Sequence, residues 1–215
     1  YKSPTDMGVN MVGFCISDDE VCRVASNNEI IRRYFTALNK FAIGICDESE
    51  VNKIRLLLNQ AKIEPAVYCK PIAAARERAR KSGHHCSAIE LQDGTIITAE
   101  SSELLGPSAA LILNATKYLA GIDHSVKLIP QHMIEPIQHT KTAYLRSRNP
   151  RLHTDEVLVA LSLLSAHDDQ CRRALEKLPE LSGCQVHSTV MLGEVDHKIF
   201  SKLGVGLTCD PKFKK

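Results

Sequence analysis

The stretch from Cys86 to Ile122 constrains this chain more than any other, because it reads as strand, tight turn, strand, loop and buried helix in immediate succession. Two short apolar or β-branched runs, Cys86-Ser-Ala-Ile-Glu-Leu-Gln92 and Thr95-Ile-Ile-Thr-Ala99, flank Asp93-Gly94. Both turn residues tolerate positive φ, which makes the pair the strongest short-range hairpin signal. After the polar loop Glu100 to Glu103, Pro107 suits the first turn of a helix running Ser108 to Ala120, and Gly121 closes it. Apolar residues surround almost the whole circumference of that helix, so it is expected to be buried.

This order of elements resembles the opening of a cytidine-deaminase-type domain, in which a hairpin leads into a helix whose first turn carries a zinc site. The resemblance implies an α/β fold, a cytidine-deaminase-like three-layer sandwich of mixed sheet and helices. It does not imply the chemistry. Where a His or Cys ligand and then a proton-shuttling Glu would stand, this chain has Ser108-Ala109-Ala110, and it contains no Cys-x-x-Cys. Neither zinc nor another metal is expected, and no other cofactor is indicated.

The chain has 215 residues, 44% of them hydrophobic and 24% charged, the balance of an ordinary globular protein with a substantial core. A net charge of +2 gives no reason to expect a nucleic-acid binder. No apolar run approaches the ~20 residues that span a bilayer, and no signal-peptide pattern opens the chain, so no membrane is expected. The first residue is Tyr1, which reads as a fragment of something longer. Eight cysteines are scattered through apolar segments, the pattern of small buried hydrophobes in a reducing, cytoplasmic setting. Asn114-Ala-Thr116 matches a glycosylation acceptor but falls inside the expected buried helix.

In chain order, the opening Lys2 to Gly13 is rich in turn formers. Gly8 and Gly13 have the spacing of a phosphate loop, but Phe14-Cys15 stand where Lys-Ser/Thr should follow. Thr5, Asp6 and Asn10 are candidates for lining a pocket, the alternative being turns that stabilise their own backbone. From Asp18 to Arg80 the apolar spacing is helical: one helix through Val21, Ile31, Phe35 and Phe41, a second from Ser49 to Ala61, and a third from Ile72 to Lys81. The third carries a basic face of Arg76, Arg78, Arg80 and Lys81, read as solvated. Residues 1–82 are thus taken as an N-terminal loop and helical subdomain, and 83–215 as the deaminase-like α/β subdomain without a zinc motif. Ser125 to Ile129 reads as a third strand, and Ile134 to Leu145 as a helix with Pro136 in its first turn. Thr154 is expected to cap a helix from Asp155 to His167. A β-type run from Gly183 to Leu192, a short helix from Val195 to Leu203 and a strand from Val205 to Cys209 complete the pattern.

Lys141 to His153 contains Lys141, Arg146, Arg148 and Arg151 and no acid, immediately before a helix start. Guanidinium forks beside free helix N–H groups complement phosphate oxygens, so Arg148 and Arg151 are candidate anion-binding residues. His153 and Asp155 are candidate catalytic residues, with His153 able to donate to a phosphate or act as a general acid. Against this, Asp155 and Glu156 already satisfy the same helix end.

Five separated motifs are Lys2-Ser-Pro-Thr-Asp-Met-Gly-Val-Asn10, Glu29-Ile-Ile-Arg-Arg-Tyr34, Leu105-Gly-Pro-Ser-Ala-Ala-Leu111, Asn149-Pro-Arg-Leu-His-Thr-Asp-Glu-Val-Leu158 and Cys184-Gln-Val-His-Ser-Thr189. Through them the chain resembles, over essentially its whole length, the C-terminal half of the bacterial domain-of-unknown-function-1846 family. The resemblance implies a missing N-terminal half as partner, bearing a Gly-Ser-Gly-Lys phosphate-loop-like segment and nucleotide binding there. Two classes of function follow. In one, the chain completes a nucleotide- or phosphometabolite-handling enzyme that takes a phosphorylated small molecule. In the other, it is a non-catalytic binding or oligomerisation module; a homo-oligomer is expected in either.

Overall fold

A computed structural model describes residues 19–212. The chain divides into two compact units between Tyr68 and Cys69. In the first, α1 (Asp19–Ala42) packs on α2 (Glu48–Gln60), followed by the short helix α3 (Pro65–Tyr68). Acids in the first turn of α1 and a lysine in its last complement its dipole, and Asp47 caps α2 by accepting from Glu50 N at 3.2 Å. Ile31, Phe35, Val51 and Leu58 are buried.

The second unit begins with α4 (Lys70–Ser82). By sequence this helix groups with those before it, with a boundary at residue 82. It belongs instead to the sheet unit, because Ile72 and Ala75 bury its apolar stripe as it lies across the strands. The basic face is likewise not simply solvated. Arg78 pairs with Glu100 at 3.1 Å and Arg76 with Asp210 at 2.6 Å, so two of its arginines clamp the helix to the sheet.

The hairpin of β1 (Cys86–Glu90) and β2 (Ile96–Glu100) forms as its turn residues require: Gly94 has φ 82°, and Asp93 Oδ1 accepts from Thr95 N at 2.9 Å. After α5 (Pro107–Leu119) come α6 (Gln131–His139) with a π-helical turn at Thr140–Tyr144, then α7 (Thr154–Ser165) and α8 (Asp169–Glu176). A 3₁₀ turn at Leu178–Leu181 leads into β3 (Gln185–Ser188), α9 (Glu194–Lys202) and β4 (Gly206–Cys209). The sheet order is β2-β1-β3-β4, with β1 antiparallel to both neighbours and β3 parallel to β4 across the α9 crossover. This is an α/β architecture with a mixed four-stranded sheet between helices, consistent with a three-layer sandwich.

Strand alternation separates the two faces. Ile89, Ala99 and Val186 share a core with Leu111, Ile112 and Ala115 of α5 and Phe200 of α9, while α4 covers the opposite face. The other side of α5, through Ala109 and Leu113, joins a second core with Val157 and Leu161 of α7 and Ala174 of α8. The helix Ser108 to Ala120 is therefore sandwiched between two cores, as its all-round apolar sequence predicts.

Three expectations need correction. Ser125 to Ile129 is a loop, not a strand, because Lys117 Nζ donates to the carbonyls of His124 at 2.8 Å and Val126 at 3.0 Å, replacing a ladder with a side-chain anchor. Pro136 lies inside α6 rather than in its first turn. Helix α7 begins at Thr154, with His153 as its N-cap. No helix among the described residues is long and apolar enough to cross a membrane.

Candidate functional site

Three helix N-termini meet in the second unit. Leu105 and Leu152 form an isolated parallel bridge, with Gly106 N donating to Leu152 O at 3.0 Å and Leu152 N to Leu104 O at 2.9 Å. The entrance to α5 is thereby held beside the entrance to α7. From the first turn of α9, Asp196 then reaches across to α7: its Oδ1 accepts from Thr154 N at 3.2 Å and from Thr154 Oγ1 at 2.9 Å.

Asp196 is completely buried. Burial alone would push its carboxyl up, but the facing His153 and the two Thr154 donors outweigh it and hold the group below the usual carboxylate range. A buried carboxylate ionised in this way needs cationic or donor neighbours. Its Oδ2 accepts no hydrogen bond from any described residue, and His153 Nδ1 faces it at 3.5 Å. The other ring nitrogen, Nε2, lies 3.3 Å from Asn149 Nδ2. A proton on Nδ1 would face Asp196 and leave Nε2 to accept from Asn149 Nδ2, whereas in the capping box of α7 the His153 side chain accepts from Glu156 N, so the two sets of contacts call for opposite tautomers.

The surrounding charges are largely committed to structure. Glu156 Oε2 accepts from His153 N at 2.8 Å and from Lys141 Nζ at 2.7 Å, and Lys141 also donates to Arg151 O at 2.7 Å. Arg151 Nε donates to Ser102 O at 2.5 Å, tying the loop to the polar segment before α5. Arg148 differs: it is exposed and makes no hydrogen bond or ion pair with any described residue. Asp155 shares an apolar groove with Met133, Ile137, Val159 and Leu163, and its Oδ1 is buried without a partner among the described residues.

The residues singled out by sequence therefore separate. Arg148, Arg151 and His153 share one loop, with Arg151 holding that loop in place. Asp155 turns towards a different, apolar surface, and it is Asp196, not Asp155 or Glu156, whose carboxylate faces the His153 ring. Thr5, Asp6 and Asn10 lie outside the described residues. Asp196 and Asn149 were not singled out; Asp196 is 42 positions from Thr154, and nothing local marks it beyond an acid in a helix's first turn.

A second buried cluster holds the far end of the sheet. His187 Nδ1 lies 2.9 Å from Thr208 Oγ1 and its Nε2 3.4 Å from Asp210 Oδ1, while Arg76 contacts Asp210 through both Nε and Nη2 at 3.2 and 2.6 Å. Burial pushes the His187 pKa down. Asp210, against its own burial, is held far below the carboxylate range by His187 and Arg76. Cys69 and Cys171 are thiols that burial pushes up to about 11, inert at neutral pH.

Together the mixed sheet, the sandwiched α5 and the junction of helix N-termini define an α/β protein with a histidine backed by a buried aspartate. The chain belongs to the DUF1846 family: its C-terminal domain of unknown function matches residues 68–215 and its N-terminal one residues 1–62. The likeness is thus wider than a C-terminal half, since the N-terminal description also takes part of the chain. Curated relatives are the UPF0371 proteins of Corynebacterium aurimucosum, 52% identical over 100% of this chain, of Corynebacterium urealyticum, 49% over 99%, and of Streptococcus thermophilus, 45% over 100%. The chain spans 43% of the length of each.

Proposed function

We propose that this chain supplies the acid–base site of a nucleotide- or phosphometabolite-handling enzyme, with the remainder of the longer family polypeptide as its partner. The observation that carries the reading is the buried Asp196 carboxylate facing His153 Nδ1 at 3.5 Å. In this role His153 Nε2 accepts or returns a proton on the bound substrate, and Asp196 stabilises the imidazolium that forms. Arg148, exposed on the same loop, meets the anionic group, and Arg151 positions the loop. The sheet order, with an edge hairpin leading into a buried helix, also supports the finer description of a metal-free deaminase-like fold. A cytoplasmic setting fits the buried thiols.

The test is a thermal-shift screen of nucleotides and phosphorylated metabolites on this chain and on a full-length relative, because a ligand of the native state raises its apparent stability. A compound should raise the melting temperature, Arg148→Ala should remove that rise, and His153→Gln should keep binding while abolishing turnover of the same compound. No stabilisation in either protein, or a rise that survives Arg148→Ala, overturns the reading.

A second reading, an assembly module that forms homo-oligomers, is favoured by the first unit. It exposes Val21, Phe41, Ile45, Leu56, Leu57 and Val67, apolar side chains that a second copy could cover. Light scattering on the purified chain tests this, a monomer at all concentrations counting against it.

A further inference from the structure

Among the described residues the sheet is open along β2, which has a neighbour on one side only. Leu91 N donates to Thr95 O and Ser101 N to His85 O, at 2.9 and 2.7 Å, so the odd-numbered residues of this strand turn their backbone groups towards β1. In an antiparallel ladder the alternate residues, Ile96, Thr98 and Glu100, then direct their N–H and C=O groups outward. Thr98 O confirms the parity: it is met from outside by Asn114 Nδ2 at 3.2 Å. That side-chain amide stands where the N–H of an added strand would stand.

This edge faces a groove. Two adjoining cavities of about 680 and 390 Å³ run along it, sharing Thr98, Asn114, Lys117 and His124. One wall is β2, the floor is α5 through Leu113, Asn114 and Lys117, and the opposite wall is the segment from His124 to Gln131. Lys117, only 8% exposed, anchors that wall by donating to the carbonyls of His124 and Val126, which fixes the groove's width. A walled groove admits a single extended chain beside β2. The wall stands where a second sheet edge would have to approach, which disfavours another copy's β2 as the occupant. The rim carries Lys127 and the Arg78–Glu100 pair, so beyond that pair the Lys127 ammonium is the charge that the lining presents to an occupant.

From the outward ladder, the fixed opposite wall and the basic rim, we infer that the free edge of β2 is a docking groove for an extended peptide bearing carboxylates, bound by strand addition. Main-chain hydrogen bonds to Ile96, Thr98 and Glu100 give it affinity, and the rim selects acidic over basic side chains. Asn114 covers the edge until the peptide displaces it.

The probe is a fluorescein-labelled, end-blocked hexapeptide of alternating Glu and Val, titrated against the full 215-residue chain by anisotropy. It should bind saturably, and the Lys–Val counterpart should not. N-methylating the amides of one alternate register should abolish binding and of the other should leave it, since only one register faces β2. Thr98→Pro removes an outward N–H that β1 does not use and should abolish binding, Lys127→Glu should weaken it several-fold, and Asn114→Ala should strengthen it. Should Thr98→Pro not fold, the N-methylated peptides and Lys127→Glu decide alone. Absence of binding, equal binding of both N-methyl registers, or indifference to Thr98→Pro in a folded protein overturns the inference. So does a dimer of the free chain that Thr98→Pro dissociates, which would give the edge to a second copy.

Discussion

Buried ionisable side chains tie the second unit's stability to pH at two separate places. His187 has a folded pKa below the unfolded value of about 6.5, so as pH falls through about 6.5 the unfolded chain takes up protons first and stability declines. Asp196 and Asp210 have folded pKa values below the ordinary carboxylate range, so their contribution is complete above about pH 4 and is lost as pH falls further. Melting temperature against pH should thus fall in two limbs. His187→Gln should flatten the upper limb and Asp210→Asn the lower, whereas curves parallel to the wild type would assign the acid loss elsewhere. Separately, Asp196→Ala leaves the buried Thr154 N–H and hydroxyl without their acceptor and should cost about 1–3 kcal/mol in chemical denaturation. The legibility of these residues follows from distance along the chain. His153 could be singled out because it stands at a helix start among basic residues, all local signals. Asp196 acquires its meaning only when α9 folds against α7, and no spacing rule connects the two.

At the scale of elements, α5 offers the cleanest test, because its two sides serve different cores. Leu111 is 1% exposed beneath the sheet, so Leu111→Ala should cost ~2–5 kcal/mol, and Leu113→Ala, in the second core, should fall in the same range. Leu163 on α7 is 67% exposed, and Leu163→Ala should stay within about 0.5 kcal/mol. Denaturant midpoints measure all three, and a loss at Leu163 as large as the other two, or losses under about 1 kcal/mol at both Leu111 and Leu113, would contradict this assignment of burial. The elements readable from sequence were those with self-contained signals, such as the Asp93-Gly94 hairpin and the all-round apolar α5. The unreadable ones depended on a distant side chain or on brevity. Ser125 to Ile129 has a strand's composition, but Lys117 takes up the carbonyls at its start. Helix α8 is eight residues, half of them charged, capped by Asp168 accepting from Cys171 N at 2.9 Å, a pattern indistinguishable from a loop without that contact in view.

At the scale of the whole molecule, two independent boundaries coincide. The N-terminal and C-terminal family descriptions meet between residues 62 and 68, and compactness divides the chain after Tyr68. A boundary placed at residue 82 from helical periodicity misses this, because periodicity identifies a helix and not the surface it packs on; only the burial of Ile72 and Ala75 assigns α4 to the sheet. The second unit contains both apolar cores and the Arg76–Asp210 clamp, whereas the described part of the first unit is some fifty residues, mostly helical, with few buried side chains, a size at which a core alone gives marginal stability. Residues 69–215 expressed alone should therefore unfold in one cooperative transition near the main transition of the full chain, with near-ultraviolet dichroism and dispersed amide resonances retained. The same segment begun at residue 83 lacks α4 and uncovers one face of the sheet together with the buried Asp210. It should lose that cooperativity, binding a hydrophobic dye at neutral pH as the longer segment does not. Equal behaviour of the two segments would mean that α4 is dispensable to the sheet and that the boundary lies further along the chain.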